Sequence, residues 1–239
     1  MKSPFVFGLP GLLCADEPSR IDKLLQILRS EGIPGKRINF SSVQRESEKK
    51  IRCTFSLEAY VQDISQAFEE ILQNPEIDAQ HIGVIASSIS ALFMGYYLRQ
   101  QPKSFLPKAY ATISPLPGWN YFVTPRVRER LLTNPEGINL SSPRDKERGI
   151  KRHISAEGKE AIQRADALKI LKKFDNRRCA ILTILGTQDT ISNQGAMREY
   201  HTHLGGKREN LLVYEAEHDV PQALYQEKMK KFFRKNLLE

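Results

Sequence analysis

Short apolar runs alternate along the chain with stretches of helical periodicity. Pro4 to Phe7 is an apolar run closed by the turn Gly8-Leu9-Pro10-Gly11, and it predicts a buried strand. Ile21, Leu24, Leu25 and Leu28 recur at the spacing of one helix face, and Gly32 stands where a helix C-cap glycine belongs. Arg37 to Phe40 predicts a second short strand. Ser56 is placed as the N-cap of a helix that lines up Leu57, Tyr60, Val61, Ile64, Phe68, Ile71 and Leu72 on one side. Ile82 to Ala86 is a clean buried strand, followed by Ser87-Ser88-Ile89-Ser90 and a helix through Leu98. Ala109 to Ile113 is the next strand. After a long interruption the alternation resumes. Ala180–Leu185 and Leu211–Glu215 read as strands, and Gln194–Leu204 and Gln222–Leu237 as helices. In the last helix Leu224, Met229, Phe232, Phe233 and Leu237 can face a core. Strands alternating with helices predict an α/β domain with a mostly parallel sheet of about six strands, flanked by helices.

The interruption spans residues 115–178. Pro115, Pro117, Gly118, Pro125, Pro135, Gly137, Pro143 and Gly149 punctuate it. It is too long for a plain connection, and Arg126–Leu132 and Ala156–Phe174 carry helical pattern. The reading is a single domain over 1–239 with 115–178 as a helical lid inserted between two strands.

Composition narrows the class. The 239 residues are 40% hydrophobic and 27% charged, which excludes a disordered chain and leaves enough apolar material for a sizeable core. No apolar run reaches the ~20 residues of a membrane span. Cys14, Cys53 and Cys179 are too few and too scattered for a disulfide scaffold, and no pair has metal-ligand spacing. A reduced, cytoplasmic setting fits this usage. The opening MKSPFVFGLPGLLCA resembles a short leader only weakly. Its positive region is one Lys, Pro4 and Pro10 interrupt it, and Leu13 is bulky where cleavage needs a small residue. The net charge is +8, and residues 119–178 hold +7 of it, with 15 Lys/Arg against 8 Asp/Glu. Arg126, Arg128, Arg130, Arg144, Lys146, Arg148, Lys151 and Arg152 make this a face for anions or simply a solvated surface. No aromatic-interleaved basic motif or nucleic-acid fold signature accompanies them, so no nucleic-acid partner is expected.

The most informative stretch surrounds Ser88. A nucleophile on a sharp strand-to-helix turn needs small residues two before and two after it, because larger side chains collide there. Those residues are Ala86 and Ser90, and no other serine of the chain has Gly, Ala or Ser at both positions. Shifting the register to Ser87 would put Ile85 and Ile89 at the tight positions. A plain serine turn at a helix start is the competing reading. A serine hydroxyl also needs a general base, and the base needs a group that holds its tautomer. Gly186-Thr187-Gln188-Asp189 follows one predicted strand, and Ala216-Glu217-His218-Asp219 follows the next. Asp189 and His218 therefore fall past the carboxyl ends of strands, on the same sheet edge as Ser88, in the chain order Ser, Asp, His.

With these residues in place the chain resembles an α/β-hydrolase over nearly its whole length. The resemblance implies Ser88 as nucleophile, His218 as base and Asp189 as orienting acid. It also implies an oxyanion hole from the main-chain N–H groups of Leu9 and Ile89; Pro10, beside Leu9, has none to give. The chain departs from the family pattern in three places. The elbow reads Ala-Ser-Ser-Ile-Ser instead of Gly-x-Ser-x-Gly, Phe7-Gly8 replaces His-Gly, and the leading hairpin is missing. None of these removes a triad member.

Other chemistry-bearing residues carry less. His81 precedes the elbow strand, His153 lies in the polar insert, and His201 and His203 are two apart on a helix, a poor metal pair. Asp175 is the alternative acid, on the wrong edge of the sheet, and Asp219 is too close to His218 in sequence to reach its far nitrogen. No metal or cofactor is expected. Trp119, Tyr121 and Phe122 open the insert and form either an apolar substrate wall or a packing hinge. The function expected is hydrolysis of a small carboxylic ester, with thioester and small-peptide hydrolysis open within the same mechanism. A non-catalytic anion-binding protein using the basic insert is the rival class.

Overall fold

A computed structural model describes residues 2–11, 19–54, 56–100, 106–122, 129, 133–134, 136–139, 149–155, 159–172 and 179–239. Ten strands are found there: β1 (Ser3–Leu9), β2 (Gly35–Arg37), β3 (Val43–Ser47), β4 (Lys50–Cys53), β5 (Ile77–Ser87), β6 (Ala109–Ile113), β7 (Ile138–Asn139), β8 (Lys151–Ile154), β9 (Ala180–Gly186) and β10 (Leu211–Tyr214). The helices are α1 (Arg20–Ser30), α2 (Leu57–Leu72), α3 (Ser90–Gln100), α4 (Lys159–Arg164), α5 (Ala167–Leu171), α6 (Gln194–His203) and α7 (Gln222–Leu237).

Six strands form one parallel sheet in the order β10-β9-β6-β5-β1-β2. Its central strands are buried on both faces, which explains their unbroken apolar runs. Alternate residues feed two cores. Phe5, Phe7 and Leu9 of β1 face the layer of α2, α3, α5 and α6, whereas Val6 faces α1 and α7. Gly8 shares that second face, and a Cβ there would collide with Ile21 of α1, so glycine lets the helix lie close to the strand.

Local chemistry fixes the helix ends. The Ser56 side chain accepts from the Ala59 N–H at 3.2 Å and starts α2. Gly32, at φ +80°, ends α1, with its N–H on Arg29 O and that of Ile33 on Leu28 O.

Four expectations change. The second strand is Gly35–Arg37 instead of Arg37–Phe40. Gly35 pairs with Val6, and a Cβ there would lie 2.6 Å from the Val6 carbonyl oxygen, so only glycine fits; Ile38 and Phe40 instead turn into the cores. The helical pattern of 156–174 is divided, because the Asp166 carboxylate caps a new helix by accepting from Leu168 N–H at 3.0 Å and Lys169 N–H at 3.2 Å. Leu224 is 47% exposed, and Tyr225, one position round the helix, takes the buried place. A second sheet, β3-β4-β8-β7, joins the hairpin of residues 43–53 to strands within the insert. The described part of 115–178 thus contains strands as well as helices. Arg126–Leu132 falls almost wholly outside the described residues, as do Cys14, Asp175 and the basic residues Arg126, Arg128, Arg130, Arg144, Lys146 and Arg148. Among the described residues no helix is long and apolar enough to cross a membrane.

Candidate active site

Ser88 sits between β5 and α3 with φ +54°, a left-handed conformation for a residue with a Cβ. Such a conformation costs on the order of 1–3 kcal/mol and persists only where neighbours enforce it. Here they do. The Ser88 N–H donates to Ile113 O at 2.9 Å, and its carbonyl accepts from Leu116 N–H at 3.0 Å and Ala91 N–H at 3.1 Å. Ala86 and Ser90, the two small flanking residues, are fully buried. The Ser90 hydroxyl also donates to the Pro10 carbonyl, tying the turn after β1 to the elbow. A Cβ on Gly11 would stand 3.5 Å from that of Ser88, so this turn passes directly beside the Ser88 side chain.

Asp189 and His218 arrive from the neighbouring strand ends. The loops after β9 and β10 are joined by Thr187 N–H donating to Tyr214 O at 2.8 Å and Gln188 N–H donating to Ala216 O at 2.9 Å. His218 Nε2 lies 2.9 Å from Ser88 Oγ, and Nδ1 lies 2.8 Å from Asp189 Oδ2. The Asp189 side chain has no solvent exposure and that of His218 is 12% exposed. A buried carboxylate needs its lone pairs filled, and Asp189 Oδ1 accepts from Ile191 N–H at 2.7 Å and Ser192 N–H at 2.8 Å. An ionised carboxylate only accepts. Nδ1 therefore carries the imidazole proton, and Nε2 is left to accept from the Ser88 hydroxyl. The arrangement can deprotonate an alcohol and stabilise the imidazolium that results.

The remaining candidates fall in other places. Ile89 follows Ser88 and is buried, and its N–H meets no acceptor among the described residues. Leu9 closes β1 in register with Ala86, so its N–H is taken up by the ladder with β5 and, against the expectation, is not left for an oxyanion. Trp119 is buried and stacks on Phe122 at 5.1 Å between ring centroids. Tyr121 donates to Asp166 Oδ2 at 3.0 Å, and burial together with that carboxylate pushes its phenol up to about 12. The same segment touches the acid loop, because Phe122 bridges Ser192 and Asn193 N–H donates to Tyr121 O at 2.9 Å.

His81 lies within β5 against Asp78 at 2.7 Å and Lys108 at 2.7 Å. His201 is buried between Thr183 Oγ1 at 2.9 Å and the Lys207 carbonyl at 3.0 Å, and burial holds its imidazole below the usual value. Asp219 turns away from the imidazole to pair with Arg20. Burial pushes the Cys53 thiol up to about 11 against the pull of its hydrogen bond to Tyr60. Among the described residues no three His, Cys, Asp or Glu side chains are placed to hold a metal. The sequence reading missed Ser114, which touches the His218 main chain; only its place directly after a strand, like that of Ser88, could have drawn notice.

No protein-family model matches the chain, and no curated protein matches its sequence. Solved structures do match its fold. Est1E from Butyrivibrio proteoclasticus aligns over 100% of this chain and 90% of its own, with TM-score 0.70 and 14% identity. The α/β hydrolase GrgF from Penicillium sp. sh18 aligns over 100% and 91%, with TM-score 0.71 and 12% identity. A monoacylglycerol lipase from Paleococcus ferrophilus aligns over 98% and 96%, with TM-score 0.62 and 17% identity. The chain has the α/β-hydrolase fold.

Proposed function

We propose that the protein is a serine hydrolase that cleaves small carboxylic esters without a metal or cofactor. The observation that carries this reading is the imidazole of His218, held 2.9 Å from Ser88 Oγ on one side and 2.8 Å from buried Asp189 on the other. Ser88 Oγ attacks the acyl carbon as its proton passes to His218 Nε2. The main-chain N–H of Ile89 stabilises the oxyanion. The tetrahedral adduct collapses, the leaving oxygen takes the proton from Nε2, and the acyl group stays on Ser88. Water then enters, gives its proton to Nε2 and attacks the acyl carbon; the acid leaves as Ser88 regains the proton.

Trp119 and Phe122 are the proposed apolar wall, since their stack continues into the loop that carries Asp189. The insert of residues 115–178 is the proposed lid. Ester chemistry is favoured because a monoacylglycerol lipase shares the fold, and another structure of Est1E holds ferulic acid. A puromycin-hydrolyzing peptidase from Mycobacterium tuberculosis shares the fold too, matching 99% of this chain over 35% of its own, so peptide and thioester bonds belong in the test. Three scattered cysteines, too few for a disulfide scaffold, suit a reducing, cytosolic setting.

The test has two arms. Wild type should react with a fluorophosphonate probe, and Ser88→Ala should lose the label and at least ~10³-fold in turnover. Ser87→Ala should label almost normally. A panel of p-nitrophenyl esters from acetate to long chains, with acyl-CoA and aminoacyl substrates alongside, identifies the acyl and leaving groups. Full labelling of Ser88→Ala would overturn the assignment.

A further inference from the structure

Among the described residues only two non-glycine positions have positive φ, Ser88 at +54° and Ser114 at +46°. They occupy matching places. β5 and β6 are adjacent and parallel, with Ser87 beside Ile113, and β6 lies beside β9, with Ile113 beside Ile184. Each serine is the next residue after its strand. Each closes the ladder with its own N–H, Ser88 on Ile113 O at 2.9 Å and Ser114 on Ile184 O at 2.8 Å. Both then meet the same histidine. Ser88 meets the ring at 2.9 Å, and the Ser114 hydroxyl donates to the His218 main-chain carbonyl at 2.6 Å.

A left-handed position usually goes to glycine or asparagine. Serine at Ser114 keeps the strain and adds one thing glycine lacks, a hydroxyl, which is buried and spent on His218. The other ties on the histidine loop act one or two residues away. Gln188 holds the Ala216 carbonyl, two residues before His218, and Arg20 reaches Asp219, whose side chain is 83% exposed and therefore weakly bound. Ser114 grips His218 itself. Its ring must bridge two partners at once, and a small turn of its main chain would lengthen one bond or the other.

We propose that Ser114 is a positioning residue, whose hydroxyl fixes the His218 main chain so that the imidazole spans Ser88 and Asp189. The proposal rests on the serine-hydrolase reading for its kinetic consequence, but its geometric consequence is readable without turnover.

Two variants separate the hydroxyl from the backbone. Ser114→Ala removes the hydroxyl and keeps the strain, whereas Ser114→Gly removes the hydroxyl and relieves it. Each is compared with wild type by fluorophosphonate labelling rate, kcat and KM on the best p-nitrophenyl ester, thermal midpoint, and the proton NMR signal of the His218 Nδ1–H. Both variants should lose roughly 10- to 100-fold in labelling rate and kcat with KM nearly unchanged. The Nδ1–H signal should broaden in both, and Ser114→Gly should melt no lower than Ser114→Ala. Wild-type labelling, turnover and signal in Ser114→Gly would overturn the proposal, as would losses in Ser114→Ala alone that merely follow its thermal midpoint. If wild type neither labels nor turns over any substrate, yet its Nδ1–H signal depends on the Ser114 hydroxyl, the hydrolase reading fails and the positioning role stands.

Discussion

Asp189 gives one carboxylate oxygen to His218 and keeps the other for its own loop: Oδ2 lies 2.8 Å from His218 Nδ1, while Oδ1 accepts the N–H groups of Ile191 and Ser192. The division makes Asp189 both a partner of the imidazole and the pin of its own turn. Asp189→Asn leaves an oxygen for the loop N–H groups but places an amide against Nδ1. Either nitrogen of the imidazole can then carry the proton, and the tautomer that accepts from Ser88 is no longer enforced. The expected result is a loss of kcat on the order of 10³–10⁴-fold with KM within a few-fold of wild type. Steady-state kinetics on one ester decide it, and near-normal kcat would remove Asp189 from the mechanism.

Gly186 ends β9, where the loops carrying Asp189 and His218 touch. A Cβ there would run into the carbonyl oxygens of Ala216 and Glu217, the two residues before His218. Those are main-chain atoms, so the histidine loop must move. Gly186→Ala should cost about 1–3 kcal/mol in denaturant unfolding. It should also lower kcat at temperatures where the protein is still folded. A variant that is destabilised but fully active would show that the loop recovers its place.

His201 ties stability to pH. Burial holds its imidazole below the ordinary value, with Nδ1 on Thr183 and Nε2 on the Lys207 carbonyl. The unfolded chain takes up the proton near pH 6.5, before the folded one does. Between that point and the lower folded value, unfolding binds a proton, so stability rises with pH in that window and is lost as pH falls below about 6.5. Thermal midpoints measured from pH 7.5 to 5 should drop for wild type and drop less steeply for His201→Gln. Parallel slopes would place the acid sensitivity elsewhere.

Phe122 tests the proposed substrate wall. It is half-buried, stacked on Trp119 and bridged to Ser192. Phe122→Leu keeps apolar volume but removes the ring stack. If the stack lines an acyl site, KM should rise several-fold for long-chain esters and hardly at all for acetate, with kcat little changed. An equal effect on both esters would assign the stack to packing between the insert and the acid loop.

Much of this architecture is legible in the residues because parallel strands buried on both faces leave continuous apolar runs. Ala109–Ile113 and Gln222–Leu237 appear with the predicted bounds. That Ser88, Asp189 and His218 meet at one sheet edge was legible because each follows such a run within a few residues, and Ser88 has small side chains two before and two after it. The β3–β4 hairpin left little trace. Gln44, Arg45, Glu46 and Ser47 are all exposed, so its first strand has no apolar alternation. The break at Asp166 was hidden because helix-forming residues lie on both sides and the cap acts only once its carboxylate turns back onto Leu168 and Lys169. Ser114 is silent for a related reason: nothing in a serine announces a left-handed backbone, and its partner lies 104 residues away.

The second sheet joins chain segments made far apart in time. β4 pairs with β8 through Ile51 beside Arg152 and Cys53 beside Ile154, about one hundred residues later. At ribosomal rates of about 5–20 residues per second, the hairpin waits roughly 5–20 s with one edge unmatched. An unmatched edge invites pairing with another nascent chain, and charged side chains, lysine above all, discourage it. Lys49, Lys50 and Arg52 lie on that edge or at its start. Charge at these positions disfavours pairing of that edge with another chain until β8 is available.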